Sequence, residues 1–314
     1  MSIINFIKNN LYAYFVAKTL VLVVLVAVLD FGLGNVLRHY YFTQQSGLQY
    51  RTTYSLNSTT AQVLVFGSSR ANHHYYPQEF ETQLHQTYYN VGRDGSFIHY
   101  HYAVLQAVLK RYTPKVIILD ITRNTFEYEP SHYDRLSSLL PYYQSHPELR
   151  DIIALKSEYE QLKLQSNIYP YNSSLFTIAV GNTNFNKKRK EDIKGYVPLT
   201  KQWAAPLSID TATTPYAMDS IKIKLYKAFI TNCTTANVKL YVVCSPYFVQ
   251  YNTPDCSITL AQQIAQQHNV PFFNYANDTT FTHHNNLFAD PTHLNNDGAI
   301  IFSKLLLLKL NALK

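Results

Sequence analysis

The chain has 314 residues, 46% of them hydrophobic and 15% charged, which supports a full core and excludes a disordered or disulfide-scaffold protein. Its 27 Lys and Arg against 20 Asp and Glu give a net charge of +7. The basic residues are dispersed and no nucleic-acid motif accompanies them, so nucleic acid is excluded as a partner and a face toward an anionic membrane or envelope polymer accounts for the balance.

At the N-terminus, Leu11 to Leu29 is apolar except for Lys18, about the length that spans a bilayer. Lys18 lies toward the N-terminal end of this run, where with Lys8 it can snorkel to the cytoplasmic interface. No small-residue cleavage site follows, so the expectation is an uncleaved signal anchor over 11–33 in the inner membrane, with 1–10 cytoplasmic and the rest facing the periplasm or cell exterior. Residues 34–60 then read as a juxtamembrane linker, with Arg38-His39-Tyr40-Tyr41 at the outer interface. A buried core helix is the competing reading of the same run.

From residue 61 onward strands and helices alternate. Strands are predicted at Gln62–Phe66, Tyr88–Val91, Lys115–Asp120, Lys239–Cys244 and Pro271–Phe273; helices at Phe97–Arg111, Met218–Ala236, Ile258–Gln267 and Ala299–Leu313. This pattern predicts an α/β domain over 61–314, three-layered and flavodoxin-like, with a central parallel sheet and its ligand site at the carboxyl ends of the strands. The stretch between the third and fourth strands is longer than one crossover needs. Residues 126–216 therefore read as an insertion, partly helical around Ser145–Ser166, forming a cap over the site. Within it, Lys187-Lys188-Arg189-Lys190 is a solvated loop or a contact for an anionic polymer or lipid surface.

Two short motifs carry the chemistry. Gly67-Ser68-Ser69-Arg70 sits where the first strand hands over to a helix, the position a nucleophile needs. Asp290-Pro291-Thr292-His293-Leu294-Asn295 precedes the last helix. There the Asp290 carboxylate can accept from one nitrogen of His293 while the other faces Ser69, the logic of a Ser-His-Asp triad. Each has a bland reading: the first as a common turn, the second as a helix cap with a surface histidine. Their order and their places at the two ends of the α/β pattern argue for the triad. A zinc site built from His283, His284, Asp290 and His293 is the alternative. Adjacent histidines diverge on any regular backbone, however, and zinc leaves the serine turn unexplained, so no metal or organic cofactor is implied. His73 and His74, just after the nucleophile turn, could line the pocket but read rather as surface or helix-N-terminal residues. Cys233, Cys244 and Cys256 allow at most one disulfide, and Cys244 falls in a buried strand as a small core residue.

This arrangement resembles the SGNH (GDSL-like) hydrolase superfamily over roughly Ala61 to the C-terminus. The family's first block is Gly-Asp-Ser and its last Asp-x-x-His; here Ser68 stands in the Asp position, Ser69 falls on the nucleophile, Asp290 and His293 fall on their counterparts, and Leu294, Asn295 and Gly298 continue the last block. The Gly-Ser-Ser variant is similar to the membrane-anchored envelope branch that includes the DltD and alginate-acetylation proteins. By the same resemblance Gly95, or Gly92 in the alternative register, falls on the oxyanion glycine. Asn124 is the candidate for the third-block asparagine, in a segment, Leu119-Asp120-Ile121-Thr122-Arg123-Asn124, that lacks the family's glycine. The resemblance implies a serine esterase or O-acyltransferase acting on acyl, above all acetyl, esters of a cell-surface glycan, beside the bilayer and a membrane-bound acyltransferase. The degenerate third block favours a second reading, a non-catalytic glycan-binding or assembly module on the same fold; the intact Asp-x-x-His opposes it.

Overall fold

The computed structural model describes residues 10–183, 192–206, 209–210, 216–282 and 284–313; the Lys187–Lys190 run and His283 lie outside them. Five strands, β1 (Val63–Phe66), β2 (Tyr88–Asn90), β3 (Val116–Asp120), β4 (Lys239–Cys244) and β5 (Phe272–Asn274), form one sheet in the order β2-β1-β3-β4-β5. Every pairing is parallel, with Val63 opposite Tyr88 and Val116, and Val116 opposite Lys239. This is the α/β architecture expected from the alternating pattern, in the flavodoxin-like order.

Strand residues alternate between two cores because successive side chains point to opposite faces. Val63, Val65, Ile118 and Val243 pack with Phe80, Phe302 and Leu306 from helices α4 (Pro77–Leu84) and α8 (Asn296–Asn311), which share their layer with α3 (Ser69–His74). Leu64, Phe66, Ile117, Leu119 and Val242 face the other layer. They meet Val104, Phe229 and Ile264 from α5 (Ile98–Arg111), α6 (Ser220–Thr235) and α7 (Cys256–Gln267). Three helices begin two or three residues earlier or later than the apolar pattern predicts because polar caps set their starts. Asp219 accepts from Ile221 N–H, Asp255 from Ile258 N–H and Asn295 from Gly298 N–H.

The N-terminal region departs further from expectation. One helix, α1, runs unbroken from Leu11 to Phe42, long and apolar enough to cross a membrane and almost wholly exposed along its apolar stretch. It does not give way to a linker. Its last turns pack on the domain through Tyr41, and a second helix, α2 (Gly47–Asn57), buries Arg51 and Leu56. Asp30 fastens the junction: its carboxylate accepts from Ser166 Oγ (2.5 Å), Asn167 N–H (2.7 Å) and Ile168 N–H (3.3 Å).

The insertion is also distributed differently from a cap. Short helical turns between Pro130 and Gly181 place Leu139, Tyr142, Ile153 and Ile178 in the core shared with Tyr41, Leu56 and Tyr100. Helical turns at Arg150–Ala154 and Glu160–Lys163 occupy the stretch predicted as partly helical. Among the described residues, 195–203 approaches the carboxyl edge beside α3 and the last loop, while His132 and Arg135 meet the loop after β2. Val197 N–H donates to Asn72 O in α3, and Trp203 N–H donates to Phe288 O.

Candidate active site

Strand order reverses between β1 and β3, and α/β sheets open a crevice at such a switch point. Ser69 stands there as the first residue of α3. The handover works because Gly67 adopts φ +144°, and an added Cβ would sit 2.7 Å from both Ala71 Cβ and Asp120 O. Gly67 O accepts from Arg93 N–H (3.0 Å), which ties the turn to the loop after β2.

Ser69 Oγ lies 2.7 Å from His293 Nε2, and His293 Nδ1 lies 2.9 Å from each oxygen of Asp290. The carboxylate can only accept, so Nδ1 carries the proton and Nε2 is left to accept from the serine hydroxyl. Asp290 also accepts from Thr292 N–H (2.9 Å), Thr292 Oγ1 (3.0 Å) and His293 N–H (2.9 Å). Partial burial raises the Asp290 pKa, but the bonds from His293 and Thr292 outweigh it and hold the carboxyl well below the usual range. The side chains of Asp290 and His293 are 40% and 22% exposed, so the dyad is reachable from solvent.

Beneath this chain lies a buried polar layer, and it includes His73 and His74, for which the sequence predicts surface or helix-N-terminal positions. His73 is 3% exposed and His74 0%. Leu294 N–H donates to His74 Nε2 (3.0 Å), so the proton sits on Nδ1, which donates to Ser245 Oγ (2.9 Å) at the end of β4. Arg70 reaches the same hydroxyl from Nε (3.2 Å) and Nη2 (2.9 Å) and stacks over the Tyr247 ring at 3.4 Å. Asp120, at the end of β3, accepts from Tyr75 Oη (2.5 Å). Burial pushes the Asp120 carboxyl up against the pull of Arg70. Burial pushes the His74 imidazole well down, and the charges of Arg70 and His293 add to that. His74 thus pins the loop carrying His293 to the sheet. Its partners lie far off in sequence, which is why no local pattern reveals it. His73 donates through Nδ1 to Val197 O (2.7 Å), and its ring stands edge-on to His293 with centroids 5.5 Å apart.

Other sequence candidates fall elsewhere. Gly95 has φ +66° and lies beside the Arg135 guanidinium. Gly92 packs against Ala71 and Asn72 of α3, but its N–H is already given to Asn90 Oδ1 (2.9 Å). Asn124 is exposed in a left-handed turn (φ +59°), with its N–H toward Asp255 Oδ2 (3.4 Å). Among the described residues no three His, Cys, Asp or Glu side chains are placed to hold a metal ion. The three thiols are free, with Cys233 and Cys244 buried and Cys256 exposed.

No protein-family model matches this chain, and no curated protein matches it. Among solved structures, a Bacteroides fragilis protein whose acylhydrolase assignment is itself provisional aligns at a TM-score of 0.42 and 10% identity, over 86% of this chain and 99% of its own.

Proposed function

We propose that the protein is a membrane-anchored serine esterase or O-acyltransferase of the SGNH type, acting on acyl esters of a cell-envelope glycan. The observation that carries this reading is the continuous hydrogen-bond chain from Ser69 through His293 to Asp290 at 2.7 and 2.9 Å. In the proposed reaction Ser69 Oγ attacks the ester carbonyl while its proton passes to His293 Nε2, and Asp290 stabilises the imidazolium that forms. The tetrahedral oxyanion is held by the Ser69 backbone N–H, left without an intrahelical partner at the start of α3. Collapse expels the alcohol, which takes the proton from His293. Water or a sugar hydroxyl then attacks the acyl-enzyme with His293 again as base. Asn124 is assigned no part, since its turn is tethered to Asp255. The exposed apolar α1 supports the anchor, and Arg51 of α2, donating to Asn72 Oδ1 of α3 at 2.5 Å, links that region to the nucleophile helix.

The test is fluorophosphonate labelling of the full chain in detergent, with the adduct mapped by mass spectrometry. An adduct on Ser69 that Ser69→Ala and His293→Ala both abolish supports the reading. A folded, unlabelled chain would turn the assignment to the glycan-binding module.

A further inference from the structure

Among the described residues, sizeable cavities open at opposite edges of the sheet. One, of about 310 Å³, lies at the amino ends of the strands beside Leu84, Lys115 and Leu310, away from the side where parallel sheets bind ligands. Another, of about 350 Å³, lies at the carboxyl edge shared with Ser69 and falls in the size range of small-molecule sites. It is bounded by the 250–254 turn, the first turns of α7 and the residues just after β5. Asn252, Gln262, Asn274 and Asn277 line it, with Arg123 and Tyr251 on one side.

The lining selects a ligand by its chemistry. Four primary amides both donate and accept, as alcohol groups do. Asp255 brings the one carboxylate, and its oxygens already accept from Ile258 N–H, Asn124 N–H and the Tyr216 hydroxyl. Arg123 brings the one cation, laid 3.7 Å over the Tyr251 ring rather than presented as a fork. An anionic ligand would want several free cations, and among the described lining residues Arg123 is the only one; Pro254, Ile258 and Ala276 add apolar surface of the kind the C–H face of a sugar ring packs on, beside the amides that its hydroxyls need. Asn277 is fixed by two bonds to the Tyr251 backbone, from its Nδ2 (2.7 Å) and to its Oδ1 (3.0 Å), so the ring's base is rigid before any ligand arrives. Tyr247 separates the cavity from the triad. Its ring meets Tyr251 at 5.5 Å, its hydroxyl accepts from Arg123 N–H (2.9 Å), and the guanidinium of Arg70, the residue after Ser69, stacks over the ring.

We infer that this cavity is a subsite for an uncharged sugar unit of a glycan chain that carries the ester at Ser69. The inference rests on the proposed esterase reading for its purpose, but not for its test. The full chain in detergent is titrated by isothermal calorimetry with the hexasaccharides of β-1,4-xylose, β-1,4-glucose and N-acetylglucosamine, and with a mannuronate hexamer as the anionic comparison. At least one neutral hexasaccharide is expected to bind the native chain and Ser69→Ala alike. Gln262→Trp, which fills the cavity from α7, weakens that binding about tenfold or more, and Asn252→Ala, at an exposed turn position that the fold does not depend on, weakens it about threefold. Binding of no neutral sugar, binding of the mannuronate alone, or equal binding by folded Gln262→Trp and Asn252→Ala would overturn the subsite. A chain that takes no label on Ser69 yet binds sugar at this cavity would sink the esterase reading and leave the subsite standing; a labelled chain that binds no sugar would do the reverse.

Discussion

The loops after β1 and β3 leave adjacent strands at the same edge of the sheet, and each presents a polar residue that a short motif nominates for chemistry. After β1 the chain turns at once into α3, and Ser69 takes its place at the first helical position, fixed by Gly67 and by the bond from Arg93 N–H. After β3 the chain wanders. Thr122 and Thr125 bond each other, and Asn124 turns left-handed toward Asp255. The first loop is over-determined by packing against the helix it starts, whereas the second is held by the Thr122–Thr125 bonds and by single tethers to Tyr247, Asp255 and Ser257. Position at a strand end is thus insufficient; what makes a reactive side chain is an element that removes its alternatives.

The largest effect expected from breaking the first loop's chain is at its far end. Asp290→Asn keeps the shape but offers His293 Nδ1 an amide, which favours the wrong tautomer and costs about 10⁴-fold in kcat with little change in KM. Steady-state hydrolysis of p-nitrophenyl acetate checks this, and a loss under tenfold would mean that the carboxylate is only a cap of its own turn. Gly67→Ala attacks the handover itself. Its Cβ would meet Ala71 and Asp120 at 2.7 Å in a backbone region that side chains avoid, so a loss of about 3 kcal/mol in urea unfolding is expected, with turnover falling alongside.

A smaller effect is expected beneath the site. His74→Ala removes the acceptor for Leu294 N–H and frees the His293 loop, for a loss of about 30-fold in kcat at near-constant KM. His74→Gln, which can accept from Leu294 again, should recover most of it. If both variants behave alike, the loop is held by other means.

Protonation probes the ground under both loops. His101 lines the narrow cavity, about 20 Å³, between Ser68 and Thr125, and burial lowers its pKa to about 3. Because the folded value lies below the unfolded one of about 6.5, the unfolded chain binds the proton first as pH falls. The stability is therefore fully present above pH 6.5 or so and declines between there and about pH 3. From pH 7 to pH 5 this one group accounts for roughly 2 kcal/mol. Urea unfolding at the two pH values should show a smaller difference in His101→Gln by about that amount, and an unchanged difference would remove His101 from the account.

The contrast between the two loops also explains what the sequence discloses. All five strands of the sheet are visible as short apolar runs, and so are α5 to α8, because period and burial are local properties. Ser69, Asp290 and His293 are conspicuous because a turn and a cap each leave a motif. The bridge from Leu294 through His74 to Ser245 leaves none: its members come from α3, β4 and the last loop, and meet only after the sheet has formed. The residues after the apolar run looked like a linker because their polar pattern is mixed. Their helices are set by tertiary partners, among them Asp30 with Ser166 and Arg51 with Asn72. The same holds for 130–181, where short turns with little amphipathic period are fixed by the core they share with Tyr41 and Tyr100.

The smallest expected effect sharpens the comparison most, because it separates a turn residue from an oxyanion donor. Asn124 is exposed at φ +59°, where glycine is at ease and asparagine only tolerated. Asn124→Gly removes the side-chain amide and relaxes the turn while losing some order in the unfolded chain, so the net gain in urea unfolding is about 0.5 kcal/mol or less. Turnover of p-nitrophenyl acetate should stay within about twofold, since nothing in the chain's hydrogen bonding points that amide at Ser69. An amide that did hold the oxyanion would cost about 10² to 10³-fold on removal. These outcomes lie too far apart to confuse. A large loss would show that the β3 loop swings toward the ester when substrate binds, so that the two loops become one site only in the complex.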